Sequence, residues 1–146
     1  MDKFKVRVKI NSERPDFRLF ATYLFGDDLH SYDSDGDSYP VNSRVWTELY
    51  MTSRQNAELG FAIEKENNEP LIFVVSSDRE DITNAVSYFL ARETTGEILD
   101  DNNRSYPFDI LKNKVGNFNL DERLKLADES IWRQSSDKNP YPNLAK

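Results

Sequence analysis

The residues with the clearest chemical potential form a short acidic segment in the first third of the chain. Residues 33–37 read Asp-Ser-Asp-Gly-Asp, which matches the first five positions of a calcium-binding EF-hand loop. That loop needs a bidentate glutamate at its twelfth position, where this chain has Arg44. Because a guanidinium does not chelate Ca²⁺, we predict that the segment holds no metal, and no cofactor is expected.

A second arrangement that suggests chemistry is the single histidine, His30, which lies among aspartates. A His–Asp pair can act as an oriented general base, as in a nuclease or hydrolase. However, no second catalytic group accompanies His30, and carboxylates are too numerous for any one pair to indicate glycosidase chemistry. The chain also has no cysteine and no glycine-rich phosphate loop. We therefore predict that the protein is not an enzyme.

The acidic segment is better suited to binding a protein. Tyr32 and Tyr39 flank the aspartates, and tyrosine is enriched at protein interfaces, although both rings could instead pack back onto the fold. A second group of carboxylates lies in a predicted hairpin further along the chain. The predicted partner-binding residues are Asp27, Asp28, Tyr32, Asp33, Asp35, Asp37, Tyr39, Glu64, Glu66 and Glu69.

The distribution of charge favours the same interpretation. Residues 19–103 carry five basic and seventeen acidic side chains, a net charge of −12, within a chain whose total is −7. No Lys or Arg occurs between Arg18 and Arg44. Such a surface either only solubilises the protein or attracts and orients a basic partner. Direct binding of nucleic acid is disfavoured, because phosphate contacts need Lys and Arg.

The elements that must position these residues are predicted to be mainly strands. Residues 4–10 alternate charged and apolar side chains, and residues 58–76 read as a hairpin with its polar turn at 67–68. Residues 17–25 are apolar on both faces, which favours a central strand, although a short buried helix has the same pattern. Further strands are predicted over 45–52 and in a short hairpin of residues 98–111.

Two helices are predicted over residues 78–94 and 119–134. Each begins at a capping-box pair, Ser77 with Glu80 and Asn119 with Glu122. The apolar residues predicted to point inward are Ile82, Val86, Phe89, Leu124, Ile131 and Trp132. We therefore predict one α+β domain over 1–146, an antiparallel sheet of about five or more strands with the two helices on one face. A long acidic loop over 26–43 and an irregular tail over 135–146 complete it.

A small, acidic, cysteine-free α+β chain without a catalytic motif resembles the immunity proteins of bacterial toxin–immunity systems, including contact-dependent growth inhibition and other polymorphic toxins. The resemblance is one of overall character and covers the whole chain. It implies a one-to-one complex with a cognate toxin domain, often a cationic nuclease, whose active site is blocked. The alternatives are an acidic nucleic-acid-mimic inhibitor and an adaptor or scaffold, with a hydrolase less favoured.

The location expected from the sequence is the bacterial cytoplasm. The first ten residues alternate charge and apolar character, unlike the apolar region of a signal peptide. No apolar run approaches the 18 residues that a membrane-spanning helix needs. We therefore expect a soluble protein without membrane contact.

Overall fold

The computed structural model describes residues 4–11, 13–25, 32–36, 46–53, 60–115, 119–130 and 133. Their strands are β1 (Phe4–Lys9), β2 (Tyr32–Gly36), β3 (Glu48–Ser53), β4 (Phe61–Asn68), β5 (Leu71–Ser77), β6 (Glu97–Leu99) and β7 (Ser105–Pro107). The helices are α1 (Arg18–Phe25), α2 (Glu80–Thr94) and α3 (Leu120–Asp128), with a 3₁₀ helix at Phe108–Lys114. The predicted α+β class is confirmed, while the placement of both main helices on one face stays a prediction.

All strands belong to one sheet with the order β2-β3-β4-β5-β1-β6-β7, and all neighbours are antiparallel. The first strand of the chain is therefore central, with Val8 opposite Phe73 on one side and Ile98 on the other. The predicted strand is confirmed, and its alternation is confirmed in part: Val8 and Ile10 are buried and Lys5 is exposed, but Phe4 is exposed as well. The predicted hairpins of β4 with β5 and of β6 with β7 are also confirmed.

An aromatic cluster joins the helices to the sheet. Phe20 of α1 meets Trp46 and Phe89 edge-on, with ring centroids 6.0 and 5.2 Å apart, and Trp46 meets Phe73 at 5.8 Å. Tyr23 stacks on Phe89 at 4.3 Å and donates its hydroxyl hydrogen bond to the carbonyl oxygen of Ala85. Burial raises the pKa of that Tyr23 hydroxyl. These packed rings stabilise the sheet against α1 and α2.

The prediction of a central strand over residues 17–25 is wrong, because Arg18–Phe25 forms helix α1. Residues 17–24 are all buried. Residues 17–25 are apolar except for Arg18 and Thr22, and a short apolar run of this kind is common to buried helices and buried strands. The usable signal was Asp16, whose Oδ1 accepts a hydrogen bond from the backbone N–H of Arg18 at 2.9 Å, as N-capping residues do.

The prediction of one continuous loop over residues 26–43 is also wrong, because Tyr32–Gly36 forms strand β2. Aspartate, serine and glycine are poor strand formers, so the local sequence favours a loop. The strand forms because β3 pairs with it over five consecutive residues, from Tyr32 opposite Ser53 to Gly36 opposite Leu49. Backbone pairing of this kind does not depend on the side chains, so the periodicity of the sequence does not reveal it.

The helix boundaries differ from the prediction at three ends. Ser77 is the last residue of β5, and α2 begins at Glu80 with Arg79 as its N-cap. Neither α2 nor α3 has a side-chain cap hydrogen bond, so neither predicted capping box forms. Helix α3 ends at Asp128, six residues earlier than predicted, and its Leu124 is only partly buried.

The remaining predictions about the core and the turns have mixed outcomes. Ile82, Val86 and Phe89 are buried as predicted. The turn of the β4–β5 hairpin is at Glu69-Pro70, because residues 67 and 68 still pair with β5. Ile131, Trp132 and the tail 135–146 lie outside the described residues.

Candidate functional site

Four carboxylates lie on three adjacent strands at one end of the sheet. Asp33 and Asp35 are on the edge strand β2, Glu48 is on β3, and Glu64 is on β4. We name these four residues the acidic sheet end. Neighbouring strands are about 4.8 Å apart, so β2 and β4 are separated by on the order of 10 Å. The sheet thus places Asp33 and Asp35, from the predicted acidic segment, two strands away from Glu64, from the predicted hairpin.

Strand β3 holds these positions through its buried alternate residues. Leu49 and Met51 are almost fully buried in the core, whereas Glu48 and Thr52 are exposed. Because successive side chains of a strand point to opposite faces, burial of the apolar pair places Glu48 on the solvent face. The register then sets Asp35 opposite Tyr50 on the β2 side.

The residues before α1 fix where β3 begins. The indole N–H of Trp46 donates a hydrogen bond to the carbonyl oxygen of Pro15, and Arg14 Nε donates to the carbonyl oxygen of Trp46, both at 2.9 Å. The Arg14 guanidinium also lies 5.3 Å from the ring centroid of Phe73, a cation–π distance. Burial lowers the pKa of Arg14, and a guanidinium remains protonated at neutral pH. The acidic sheet end is therefore anchored to the core through residue 46.

Two carboxylates of the site lie directly opposite each other. Glu48 pairs with Glu64, and both side chains are exposed. The next pair, Thr47 with Lys65, is hydrogen-bonded, since Lys65 N–H donates to the Thr47 carbonyl oxygen at 3.0 Å. The Glu48–Glu64 pair is thus of the non-hydrogen-bonded type, in which the Cα atoms are only about 4.5 Å apart. Like charges at this position destabilise a sheet, and a bound cation would relieve the repulsion.

The described residues offset only part of this repulsion. The Tyr50 hydroxyl donates a hydrogen bond to Glu64 Oε2 at 2.7 Å, but a neutral donor leaves the carboxylate charge in place. Within the described residues, no Lys or Arg forms an ion pair with Glu48 or Glu64. Glu48 was not among the predicted site residues, because its position opposite Glu64 depends on a register that the sequence does not show.

We expect replacement of Glu48 with glutamine to raise the free energy of unfolding by a few tenths to about 1 kcal/mol, because the repulsion with Glu64 disappears. Glu69→Gln is the matched control, since it removes an exposed carboxylate from the β4–β5 turn. Urea unfolding at low and high salt measures both variants. The repulsion would be contradicted if Glu48→Gln raised the free energy of unfolding no more than Glu69→Gln does. It would also be contradicted if the increase did not depend on salt.

Glu66 and Glu69, although predicted together with Glu64, lie elsewhere. Glu66 forms an ion pair with Arg7 of β1 at 2.7 Å, so its charge is balanced within the fold. Arg7 also donates to Asn103 Oδ1 at 2.7 Å and to the Asp100 carbonyl oxygen at 3.0 Å. Nearby, the backbone N–H of Arg104 holds the pKa of the Asp100 carboxyl below its usual range. Glu69 is in the turn, five positions beyond Glu64 and thus on the order of 16 Å along an extended strand.

The other predicted site residues lie partly beyond what the structure describes. Tyr32 is the first residue of β2. Asp27, Asp28, Asp37 and Tyr39 lie outside the described residues, as does His30. In the described part of the chain, no group of three or more His, Asp or Glu side chains is placed to hold a metal ion. Because Asp37 is not included, the absence of a calcium site stays a prediction.

A separate cavity of about 760 Å³ lies between the start of β1 and the 3₁₀ helix. Its charged lining residues are of both signs, with Lys5 and Lys114 facing the same space as Asp101. Glu66 of β4 also lines the cavity, but none of the four residues of the acidic sheet end does, so the two are separate features.

Comparison of the chain with protein-family models, with curated proteins and with solved structures found no match. A search of the described helices found none that is both long and apolar enough to cross a membrane. The geometry of the sheet is therefore the basis for any functional inference.

Proposed function

We propose that the protein binds a basic protein through the acidic sheet end. In this proposal it is an immunity protein of a bacterial toxin–immunity system, and it has no catalysis of its own. Its partner is a cognate toxin domain of the cationic nuclease type, held in a one-to-one complex in the cytoplasm with its active site blocked. The observation that supports the proposal is the set of Asp33, Asp35, Glu48 and Glu64 on three adjacent strands.

The local balance of charge supports a basic partner. In the strands β2, β3 and β4 as described, Lys65 is the one basic residue, whereas the acidic residues are Asp33, Asp35, Glu48, Glu64 and Glu66. Glu66 is balanced by Arg7, but no described cation pairs with Glu48 or Glu64. A surface of this kind raises the rate of association with a cationic protein, and added salt screens the effect.

Formation of the complex would also relieve an electrostatic repulsion that is present in the free protein. The repulsion between the opposite carboxylates Glu48 and Glu64 is unfavourable in the free sheet. A Lys or Arg placed between them would form two charge-assisted hydrogen bonds and neutralise the pair. Binding energy is then gained both from the new ion pairs and from the lost repulsion.

The experiment is co-expression with the polypeptide encoded by the adjacent gene. We expect that polypeptide to arrest growth when expressed alone and this chain to relieve the arrest by forming a one-to-one complex. The variant Asp33→Asn, Asp35→Asn, Glu48→Gln, Glu64→Gln removes the acidic sheet end. A carboxylate that becomes buried against Lys or Arg costs about 2–5 kcal/mol when it is truncated, so the affinity should fall at least about 30-fold.

A control variant with the same change in net charge distinguishes the effect of losing these four residues from the effect of a less negative protein. It neutralises four exposed carboxylates in other elements, through Asp109→Asn, Asp121→Asn, Glu122→Gln and Glu129→Gln. We expect this control to retain most of the affinity and of its salt dependence. Equal losses in the two variants would reject the acidic sheet end as the binding surface. A complex that leaves growth arrest unrelieved would reject the immunity role and favour an adaptor.

A further inference from the structure

Strand β2 is the outer strand of the sheet at the acidic sheet end. It is first in the strand order, and in the described residues only β3 pairs with it. The pairing runs without a register shift from Tyr32 opposite Ser53 to Gly36 opposite Leu49. A regular outer strand has one row of backbone N–H and C=O groups turned away from the sheet.

The residues in that row follow from the hydrogen bond between Lys65 N–H and the Thr47 carbonyl oxygen. In an antiparallel ladder, hydrogen-bonded and non-hydrogen-bonded pairs alternate, so Leu49 and Met51 also bond toward β4. The intervening residues of β3, Tyr50 and Thr52, therefore bond toward β2. Their partners there are Asp35 and Asp33, respectively.

The backbone groups of Asp33 and Asp35 are thus used by β3. The N–H and C=O groups of the alternate residues Tyr32, Ser34 and Gly36 point to the outer edge. No described strand pairs with this edge. These three alternate residues offer enough backbone groups for an added strand to form a short ladder.

The charges of β2 determine what kind of strand fits. Edge strands are commonly protected from pairing by charged residues, proline or a bulge. Strand β2 has neither proline nor a bulge, and its charged residues are Asp33 and Asp35. Its two aspartates would repel an acidic strand and also a second copy of β2, since like charges in adjacent strands are unfavourable. They would stabilise a strand that carries lysine or arginine at alternate positions.

We infer that the outer edge of β2, with which no described strand pairs, receives an extended segment of the basic partner as an additional antiparallel or parallel strand of the sheet. That segment carries Lys or Arg at every second position. This inference rests on the proposed function and adds the mode of recognition. The backbone ladder provides the alignment, and the alternate cations face the acidic sheet end.

The test uses a short synthetic peptide of alternating lysine and threonine as the probe. Two peptides serve as controls, one with glutamate in place of lysine and one with N-methylated backbone at alternate residues. We expect the lysine peptide to bind and both controls to fail, because one lacks the charge and the other lacks the N–H donors. Amide hydrogen exchange followed by NMR should show protection gained at Tyr32, Ser34 and Gly36 on binding.

The matched pair of variants is Ser34→Pro and Ser34→Ala. Proline removes an outward N–H without touching the β2–β3 ladder, a position at which edge strands accept proline, whereas alanine keeps the N–H. We expect Ser34→Pro to lower the affinity for the peptide and for the toxin domain at least about tenfold, and Ser34→Ala to match the wild type. Urea unfolding confirms that both variants fold.

Amide hydrogen exchange in the free wild-type protein tests whether the outer edge of β2 is unpaired, and this test remains valid if Ser34→Pro does not fold. Amides of Asp33 and Asp35 should be protected, and those of Tyr32, Ser34 and Gly36 should exchange fast. Protection at the latter three in the free protein, or equal binding by Ser34→Pro and Ser34→Ala, would overturn strand addition. A different result would reject the proposed function. It is rejected if the variant Asp33→Asn, Asp35→Asn, Glu48→Gln, Glu64→Gln binds the toxin domain as tightly as the wild type does.

Discussion

Replacement of Phe89 with alanine should lower the free energy of unfolding by about 3–5 kcal/mol. Phe89 is fully buried on α2, where its ring stacks on Tyr23 and meets Phe20 edge-on. Truncation removes these contacts and leaves a cavity between α1, α2 and the sheet. The aromatic pairs add a loss of about 0.5–1.5 kcal/mol each beyond simple burial, which places the expected value toward the upper part of the range.

Urea unfolding of the two proteins measures this loss, and Phe4→Ala is the control. Phe4 is 36% exposed at the start of β1, so its truncation should cost about 1 kcal/mol or less. A loss below about 1 kcal/mol for Phe89→Ala would mean that α2 presents a different face to the sheet.

The sequence was sufficient for elements whose polar and apolar residues follow a clear period. Strand β1 alternates lysine and arginine with valine, and α2 carries an apolar stripe that includes Ile82, Val86 and Phe89. Residues 82–91 of α2 are all buried, but polar residues such as Asn84 and Ser87 separate the members of the stripe, so its period is visible in the sequence. The class of the fold followed from these elements and from the β4–β5 hairpin.

The elements that the sequence did not reveal are those without a diagnostic pattern. Residues 18–25 of α1 are apolar except for Arg18 and Thr22, and so short a run does not distinguish a buried helix from a central strand. Strand β2 is polar throughout and exists because β3 pairs with its backbone. In each case the deciding interaction is tertiary, and local residue preferences give no account of it.

The candidate site was predictable in composition but not in geometry. Asp33, Asp35 and Glu64 were predicted as binding residues from charge alone, and the sheet places them within three strands. Glu48 was not predicted and Glu66 was, because register decides which carboxylate lies opposite another carboxylate and which one pairs with Arg7. Charge patterning therefore locates an acidic region, and strand pairing determines which of its residues are neighbours.

The second large effect is expected at Asp16, two residues before the start of α1. Its carboxylate is completely buried and pairs with the Arg18 side chain, which is 5% exposed, at 2.5 and 2.9 Å. Oδ1 also accepts the backbone N–H of Arg18 at 2.9 Å. Asp16→Ala removes all three hydrogen bonds and leaves the Arg18 charge buried without this carboxylate. Removal of one partner from a buried ion pair costs about 3–5 kcal/mol, which is the loss we expect in urea unfolding.

The double variant Asp16→Ala, Arg18→Met tests whether the buried charge is the cause. Replacement of a whole buried pair with apolar residues is often neutral, so the double variant should recover most of the lost stability. A double variant as unstable as Asp16→Ala would assign the loss to the missing N–H acceptor at the start of α1 instead.

The substitution Asp16→Ala should also affect the acidic sheet end, through the hydrogen bond between Trp46 and Pro15. Asp16 follows Pro15, whose carbonyl oxygen accepts the indole N–H of Trp46, the residue that leads into β3. A shift of Pro15 in Asp16→Ala would move the start of β3, and with it Glu48 relative to Glu64. We therefore expect Asp16→Ala to weaken binding of the basic partner under conditions where the variant is fully folded. Recovery of stability without recovery of affinity in the double variant would show that Asp16 itself, rather than the balance of buried charge, aligns β3 with β4.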